Sequence, residues 1–200
     1  MKLSRGGTSR DALLAAGVDL FRQQGFAGTS VESVCRAAGV TKGAFFHHFA
    51  TKQKLAEACL QRWDAQASLA AAQAPWRALE DPVDRLVGCL DGHYGRLSGP
   101  ASRRASLAGA VSLECGETQP GLRDGARACF DNDIRRLAGL IEEAADSCEV
   151  VVDARSLARF WVATVQGALL VGRASSQDAV IPDCLAHARE HLLAAVTGTA

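Results

Sequence analysis

Residues 29–54, TSVESVCRAAGVTKGAFFHHFATKQK, constrain the fold more than any other stretch of the chain. Apolar residues recur at helical spacing over residues 31–38, which predicts a short helix with one buried face. Either Thr29 or Ser30 is expected to supply the N-cap oxygen of that helix. Gly39 follows where the chain must turn sharply, because glycine adopts positive φ at no steric cost.

A second short helix is predicted after this turn. Thr41 is placed to cap it, and it should run from Lys42 to about His48. Cys35 is small enough to let the two helices approach closely, and bulky Phe45 is expected in their shared core. This spacing is typical of a helix-turn-helix, whose second helix presents its N-terminal half to base edges.

The segment GVTKGAFFHHFATKQKL resembles the signature of the tetracycline-repressor (TetR) family, which usually reads close to G-V-S-x-G-x-L-Y-Y-H-F-x-x-K-x-x-L. GFAGTSVESVCRAAG, just upstream, is also similar to that family, and the strong match covers about residues 10–60. The resemblance implies a dimeric, ligand-responsive transcriptional repressor that is not an enzyme. Phe46 and His47 stand where the family commonly has tyrosines, so a hydroxyl contact with phosphate is not available at Phe46.

The same resemblance implies a set of DNA-facing residues. Lys42 can donate to a guanine edge or to a phosphate, and Ser30 and Lys52 are expected to hold the DNA backbone on either side of the groove. A dimer would place two such helices in successive major grooves, roughly 34 Å apart, so the predicted partner is double-stranded DNA with a palindromic operator. The predicted DNA-binding residues are Ser30, Thr41, Lys42, Gly43, Ala44, Phe46, His47, His48 and Lys52.

Charge is distributed unevenly along a chain whose formal net charge is zero. Residues 1–54 contain eight lysines and arginines and three acidic residues, a net charge of +5, and the remainder carries −5. Binding to DNA phosphates needs a positive field of this kind, and it coincides with the predicted helix-turn-helix.

Composition indicates a folded, cytoplasmic protein. Apolar residues make up 48% of the 200 residues, enough to form a core, and we expect neither a signal peptide nor a transmembrane segment. The seven cysteines are widely scattered with no C-x-x-C, which favours reduced thiols that mostly fill the core.

The whole chain is predicted to be all-α. An N-terminal three-helix DNA-binding domain is expected over residues 1–50, with a basic arm over 1–8 and Ser9 as the cap of its first helix. A larger helical domain for ligand binding and dimerisation is expected over residues 51–200. Its first helix is predicted to follow the Thr51 cap and to run to about Gln73, and its second helix is predicted to begin at Pro82. Further helices are predicted over residues 101–115, 120–147, 153–175 and 182–196.

The C-terminal domain is expected to bind a small-molecule effector and to form the homodimer. The helix over residues 153–175 is apolar on nearly every side, which suits burial within the subunit and against a partner. The family pairs its last two helices across a two-fold axis, and this sequence suits that arrangement. The candidate ligand-binding residues are Trp63, Cys89, His93, Phe130, Trp161 and Gln166.

The sequence also contains features that are typical of other functions. RRASLAGAVSLE resembles a motif of one TetR subgroup, R-x-G-C-L-x-G-N-x-x-x-E, but Ser106 stands at the cysteine and Ala110 at the asparagine, whereas Glu114 matches. A thiol- or metal-responsive regulator is the alternative: Cys115 and Cys129 are the candidates for thiol sensing, and Cys184, His187 and His191 share a helical face that can hold a transition metal. No metal ligand or cofactor is assigned, and a Cys-His hydrolase is the rival from the enzymes, for which the chain has no G-x-S-x-G or H-E-x-x-H motif.

Overall fold

The computed structural model describes residues 8–97, 106–115, 118–175, 177 and 179–199, without the side chains of residues 93–97. Over these ranges the fold is all-α with no strand, as predicted. The helices are α1 (Ser9–Gln24), α2 (Val31–Ala38), α3 (Lys42–His48), α4 (Lys52–Ala72), α5 (Pro82–Leu97), α6 (Leu107–Cys115), α7 (Pro120–Ser147), α8 (Ala154–Ser175) and α9 (Val180–Thr197), with a 3-10 helix at Pro75–Ala78. The chain forms two compact units: unit 1 comprises Met1–Gln66 and Ala105–Cys129, and unit 2 comprises Ala67–Arg104 and Phe130–Ala200.

Side-chain caps determine where the first helices of unit 1 begin. Ser30 caps α2 by accepting from the N–H of Ser33, and Thr41 caps α3 by accepting from the N–H of Ala44. The cap of α1 is Thr8, which forms a reciprocal capping box with Asp11, so the prediction of Ser9 was wrong by one residue. The sequence contains hydroxyls at both positions, and only the acid three residues beyond Thr8 distinguishes them.

Unit 1 encloses one small hydrophobic core. α1 packs against α2, α3 and α6, and α4 contributes its apolar face to the same interior. Because each of these helices is short or only weakly amphipathic, their stability depends on this shared burial. The largest side chains in the core with almost no exposure are Leu13, Phe21, Phe45, Leu55, Leu60, Leu107 and Leu122.

Unit 2 has a separate core around Trp161, whose side chain is only 2% exposed. α8 packs along α9, and α5 contacts both α9 and the 3-10 helix. Among the described residues of unit 2, two ion pairs join helices at the surface: Arg85 with Glu143 at 3.1 Å and Arg189 with Asp91 at 2.9 Å.

Two helices begin at positions that differ from the predicted ones. α9 begins at Val180, two residues before the predicted start at Pro182, because proline is tolerated throughout a first turn whose N–H groups have no helical partner. The predicted helix at 101–115 is observed as Leu107–Cys115, and its first five residues lie outside the described ranges, as do residues 1–7 of the predicted basic arm. No described helix has the length and apolar character needed to cross a membrane.

Two glycines give opposite expectations for stability. A Cβ placed on Gly88 would lie 2.4 Å from the Cβ of Trp76, which cannot swing away as a side-chain tip can, whereas a Cβ on Gly139 would meet nothing within 4 Å. Gly88→Ala is therefore expected to lower the free energy of unfolding by about 1–3 kcal/mol. Gly139→Ala, the matched control in α7, should raise it by about 0.5–1 kcal/mol. Urea denaturation measures both, and a Gly88→Ala protein as stable as the parent would contradict the packing described here.

Candidate nucleic-acid interface

The helix-turn-helix predicted from the sequence is formed by α2 and α3. Gly39 adopts the left-handed conformation at φ 67°, and the N–H of Val40 donates to the carbonyl of Cys35 at 3.0 Å. The Cys35 side chain is buried in the bend, with its Sγ 3.8 Å from the carbonyl oxygen of Thr41. A small residue is needed at this point because the backbone of the next helix passes directly over it.

The orientation of α3 is fixed by two buried phenylalanines. Phe45 is fully buried and Phe49 is 5% exposed, with their ring centroids 6.0 Å apart. The guanidinium of Arg10 on α1 lies 5.5 Å from the centroid of Phe49 and covers its outer side. Since Phe45 points inward, the next residue, Phe46, is turned outward.

Four of the predicted DNA-binding residues on α3 form a continuous exposed surface, which we call the α3 face: Lys42, Gly43, Phe46 and His47. Phe46 is 56% exposed, which is unusual for a phenylalanine beside a well-formed core. A Cβ on Gly43 would touch only the Thr41 hydroxyl at 3.7 Å, so the backbone is open to close approach from outside. The face therefore combines one cation, one imidazole, one aromatic ring and a bare stretch of backbone.

Lys42 forms an ion pair with Glu32 of α2. The hydrogen bond from Lys42 lowers the pKa of the Glu32 carboxyl below its ordinary value, because the lysine cation favours the ionised carboxylate. Both side chains are more than half exposed, so the pair is screened by water and a phosphate can compete for the ammonium group.

Other predicted contact residues already have partners within the protein. Ser30 and Thr41 use their hydroxyls as helix caps, and His48 is half-buried with its Nε2 2.7 Å from the Oγ of Ser9. Ala44 is half-buried. DNA contact by these residues stays a prediction.

Lys52 is bonded to the loop between α1 and α2. Its Nζ donates to the carbonyl oxygens of Phe26 at 2.7 Å and Thr29 at 2.9 Å, and it lies 4.2 Å from the centroid of the Phe26 ring. The half-buried ammonium group thus has two of its three protons committed to the protein. The predicted phosphate contact of Lys52 remains a prediction, and the structure adds a positioning role that the sequence did not reveal.

The candidate ligand-binding residues do not all come together. Trp161 and Gln166 line a shallow cavity in unit 2, of about 40 Å³, with four residues that the prediction missed: Asp133, Leu137, Val162 and Val165. Cys89 belongs to the core of unit 2, Phe130 is half-buried, and the side chain of His93 lies outside the described residues. Trp63 lies in unit 1, where the Arg22 guanidinium stacks 4.8 Å from its ring centroid. Helical spacing alone would have suggested Val165 as the i+4 neighbour of Trp161, and Val162 as the residue one turn before Gln166.

The three cysteines whose pKa is shifted, Cys35, Cys59 and Cys115, are not activated as thiol sensors. Burial raises the pKa of Cys35 and Cys115, and raises that of Cys59 to about 12, so the unreactive thiol form is favoured. On α9, the His191 ring packs 5.3 Å from that of Phe160. Over the described ranges no three metal-ligating side chains are grouped to hold an ion.

Comparison with known proteins agrees with this geometry. The family model for bacterial regulatory proteins of the tetR family matches residues 13–59. The HTH-type transcriptional repressor DhaR of Mycobacterium sp. (strain GP1) is 26% identical over 170 residues, covering 80% of this chain and 80% of that protein. The HTH-type transcriptional repressor NemR of Escherichia coli (strain K12) is 23% identical over 191 residues, covering 90% and 92%.

Solved structures show the same fold. The crystal structure of reduced E. coli NemR has a TM-score of 0.79 at 22% identity, covering 91% of this chain and 95% of that one. The regulatory protein TetR from Rhodobacter sphaeroides has a TM-score of 0.80 at 23% identity, covering 94% and 98%. At this level of identity the likeness supports the fold.

The Thr41 cap gives a test of how α3 is held. Thr41→Ala removes the side-chain acceptor for the Ala44 N–H and is expected to lower the free energy of unfolding by about 1 kcal/mol. Thr41→Ser keeps the acceptor oxygen and should change stability by less than about half of that. Thermal denaturation distinguishes the two, and equal losses in both variants would show that the hydroxyl is not the stabilising group.

Proposed function

Because this chain belongs to the TetR family of bacterial regulatory proteins, we propose that it is a ligand-responsive transcriptional repressor. It binds double-stranded DNA as a homodimer and is released by a small-molecule effector. One observation supports this more than any other: the α3 face is exposed on a helix that a buried phenylalanine and a threonine cap hold in place. TetR-family regulators are generally not enzymes, and no residue here is assigned a catalytic role.

The DNA-binding part is assigned to residues 1–50 and the effector and dimer part to 51–200. In the major groove, the α3 face would meet base edges, with the Gly43 backbone and the Ala44 methyl approaching thymine methyl groups. Phe46 supplies an apolar surface in place of the usual tyrosine. Ser30, Thr41, His48 and Lys52 flank this surface as the positions next to the DNA backbone.

The operator is expected to be palindromic. Two copies of α3 related by a two-fold axis must reach major grooves one helical turn apart, roughly 34 Å. An effector then acts by binding more tightly to one of two forms of the dimer, which differ in the distance between their DNA-binding domains. Its binding shifts the population away from the form that binds DNA.

The dimer is assigned to α8 and α9. Phe160, Leu170 and Val171 of α8 are between 41% and 55% exposed, a large apolar area for one helix of a folded protein. Gly167 lies between them with no neighbour within 4 Å of its Cβ position, so a partner helix can approach closely. Such a surface is stabilised when a second copy covers it.

The effector site is assigned to unit 2, at the cavity beside Trp161 and Gln166. Its volume of about 40 Å³ is well below the roughly 300–1,000 Å³ of sites for drug-sized ligands. Effector binding therefore has to open the cavity, and that opening is the conformational change a repressor needs.

The function is tested by mobility shift with a promoter fragment upstream of the gene for this protein, repeated at several salt concentrations. A specific complex that weakens steeply with salt is expected, because lysines and arginines replace counterions on the DNA. Failure to retain the upstream fragment or any sequence selected from a random pool of duplexes would refute the assignment.

Lys42 provides a sharper test. Lys42→Ala is expected to weaken operator binding about tenfold and to reduce the slope of log affinity against log salt by about one, the signature of one lost phosphate contact. Glu32→Gln is the matched control, since it removes the partner of Lys42 and leaves the lysine in place. That variant should bind as tightly as the parent or more tightly. If Lys42→Ala leaves both the operator affinity and the salt slope unchanged, DNA must contact a different part of the protein.

The dimer surface can be tested with two valines. Val171→Asp places a charge in the assigned interface and is expected to convert the dimer to a monomer in sedimentation equilibrium. Val151→Asp, at a valine 98% exposed outside the helices, introduces the same charge and should leave the dimer intact. A dimer of unchanged mass and affinity with Val171→Asp would move the interface away from this part of α8.

A further inference from the structure

The loop between α1 and α2, residues Gly25–Thr29, is held by charged groups from two different helices. From α6, the Glu114 carboxylate accepts the backbone N–H of Ala27 at 2.8 Å. From α4, the Lys52 ammonium donates to the carbonyls of Phe26 and Thr29. The anion thus binds a backbone donor and the cation binds backbone acceptors, so each charge matches the groups it faces.

Gly25 provides the space that this arrangement needs. It adopts φ 78°, and a Cβ built on it would lie 1.7 Å from the Oε1 of Glu114. No side chain at position 25 can coexist with the carboxylate where it stands. The Glu114 position and the glycine are therefore coupled over 89 residues of sequence.

The loop is also ordered from within. Thr29 is 1% exposed, and its hydroxyl donates to the carbonyl of Gly25 at 2.7 Å. Ser30, the next residue, caps α2. A loop with this much internal bonding transmits its position directly to the start of α2, and α2 carries α3 through the tight turn at Gly39.

We propose that Glu114 is a positioning residue for DNA binding: it fixes the α1–α2 loop against Lys52, and so fixes the orientation in which α2 and α3 meet the operator. This rests on the proposed function and adds to it a residue on α6, outside the helix-turn-helix. Glu114 touches no DNA in this scheme and acts through the backbone of the loop.

Net charge makes the test discriminating. Glu114→Gln removes one negative charge, and electrostatics alone would strengthen binding to DNA. The positioning role requires the opposite, a loss of about fivefold in operator affinity, because a charged hydrogen bond to Ala27 becomes a neutral one. Asp124→Asn is the matched control: it removes one negative charge from an exposed ion pair of unit 1 with Arg123, and it should bind as well as the parent or better.

The experiment measures affinity by fluorescence anisotropy, at a temperature where all variants are folded, for a labelled duplex selected by the parent protein from a random pool. Hydrogen exchange of the peptide spanning residues 25–30 is measured in parallel. The expected result is weaker binding with Glu114→Gln, still weaker binding with Glu114→Ala, and faster exchange confined to that peptide. A second route is Gly25→Ala, which displaces the carboxylate, and its effect should be less than additive with Glu114→Ala.

Parental or tighter binding by both Glu114 variants would overturn the inference, as would exchange that rises evenly over the whole chain. Should Glu114→Ala fail to fold, Glu114→Gln decides by itself, since its amide oxygen can still accept from Ala27. Failure of the parent protein to select any duplex would refute the proposed function instead, which keeps the two failures distinct.

Discussion

Burial of Phe45 is the constraint on which the rest of unit 1 depends. A helix of seven residues is unstable in isolation, because nucleation costs more than its few hydrogen bonds return. Transfer of one phenylalanine from water to the core contributes about 2 kcal/mol, and the Thr41 cap adds about 1 kcal/mol. With Phe45 anchored, residues 42, 43, 46 and 47 have no alternative to facing outward. Burial of Phe45 therefore determines both the packing of the core and the exposure of the α3 face.

Because unit 1 is small, most of the polar side chains around α2 and α3 already make contacts within the protein. Ser30 and Thr41 cap helices, His48 bonds to Ser9, and Lys52 bonds to two carbonyls. These residues, which are predicted to lie next to DNA, therefore also have structural roles within the protein. Lys42 differs, because among the described residues its one bonded partner is an exposed glutamate that a phosphate can replace. A lysine of that kind is the most informative position at which to separate DNA binding from folding.

Local chemistry made much of the fold predictable, and long-range contacts account for what was missed. The glycine turn, the Thr41 cap and the proline breaks depend on neighbours within four residues, which the sequence displays. The partners of Lys52 lie 23 and 26 residues away, and Glu114 meets Ala27 across 87 residues, distances at which no periodic pattern operates. The contact between Trp63 and Arg22 is long-range in the same way, and the aromatic character of Trp63 alone could not reveal it. The exposed apolar residues of α8 could be foreseen from the sequence. The position of the cavity beside Trp161 could not.

Ser106 and Glu114, at the two ends of the α6 segment, occupy two positions of the subgroup motif that this segment resembles. Ser106 replaces the cysteine of that motif, and its Oγ accepts from the N–H of Gly109 at 3.3 Å, the position of a helix cap. Sulfur is a weaker acceptor than a hydroxyl oxygen, so serine favours an ordered start to α6 and abolishes thiol chemistry at this point. Glu114, at the other end of the same nine-residue helix, keeps the motif residue and binds the α1–α2 loop. On the inference drawn above, displacement of α6 would move Glu114 and with it the α1–α2 loop, whereas position 106 has no thiol to oxidise.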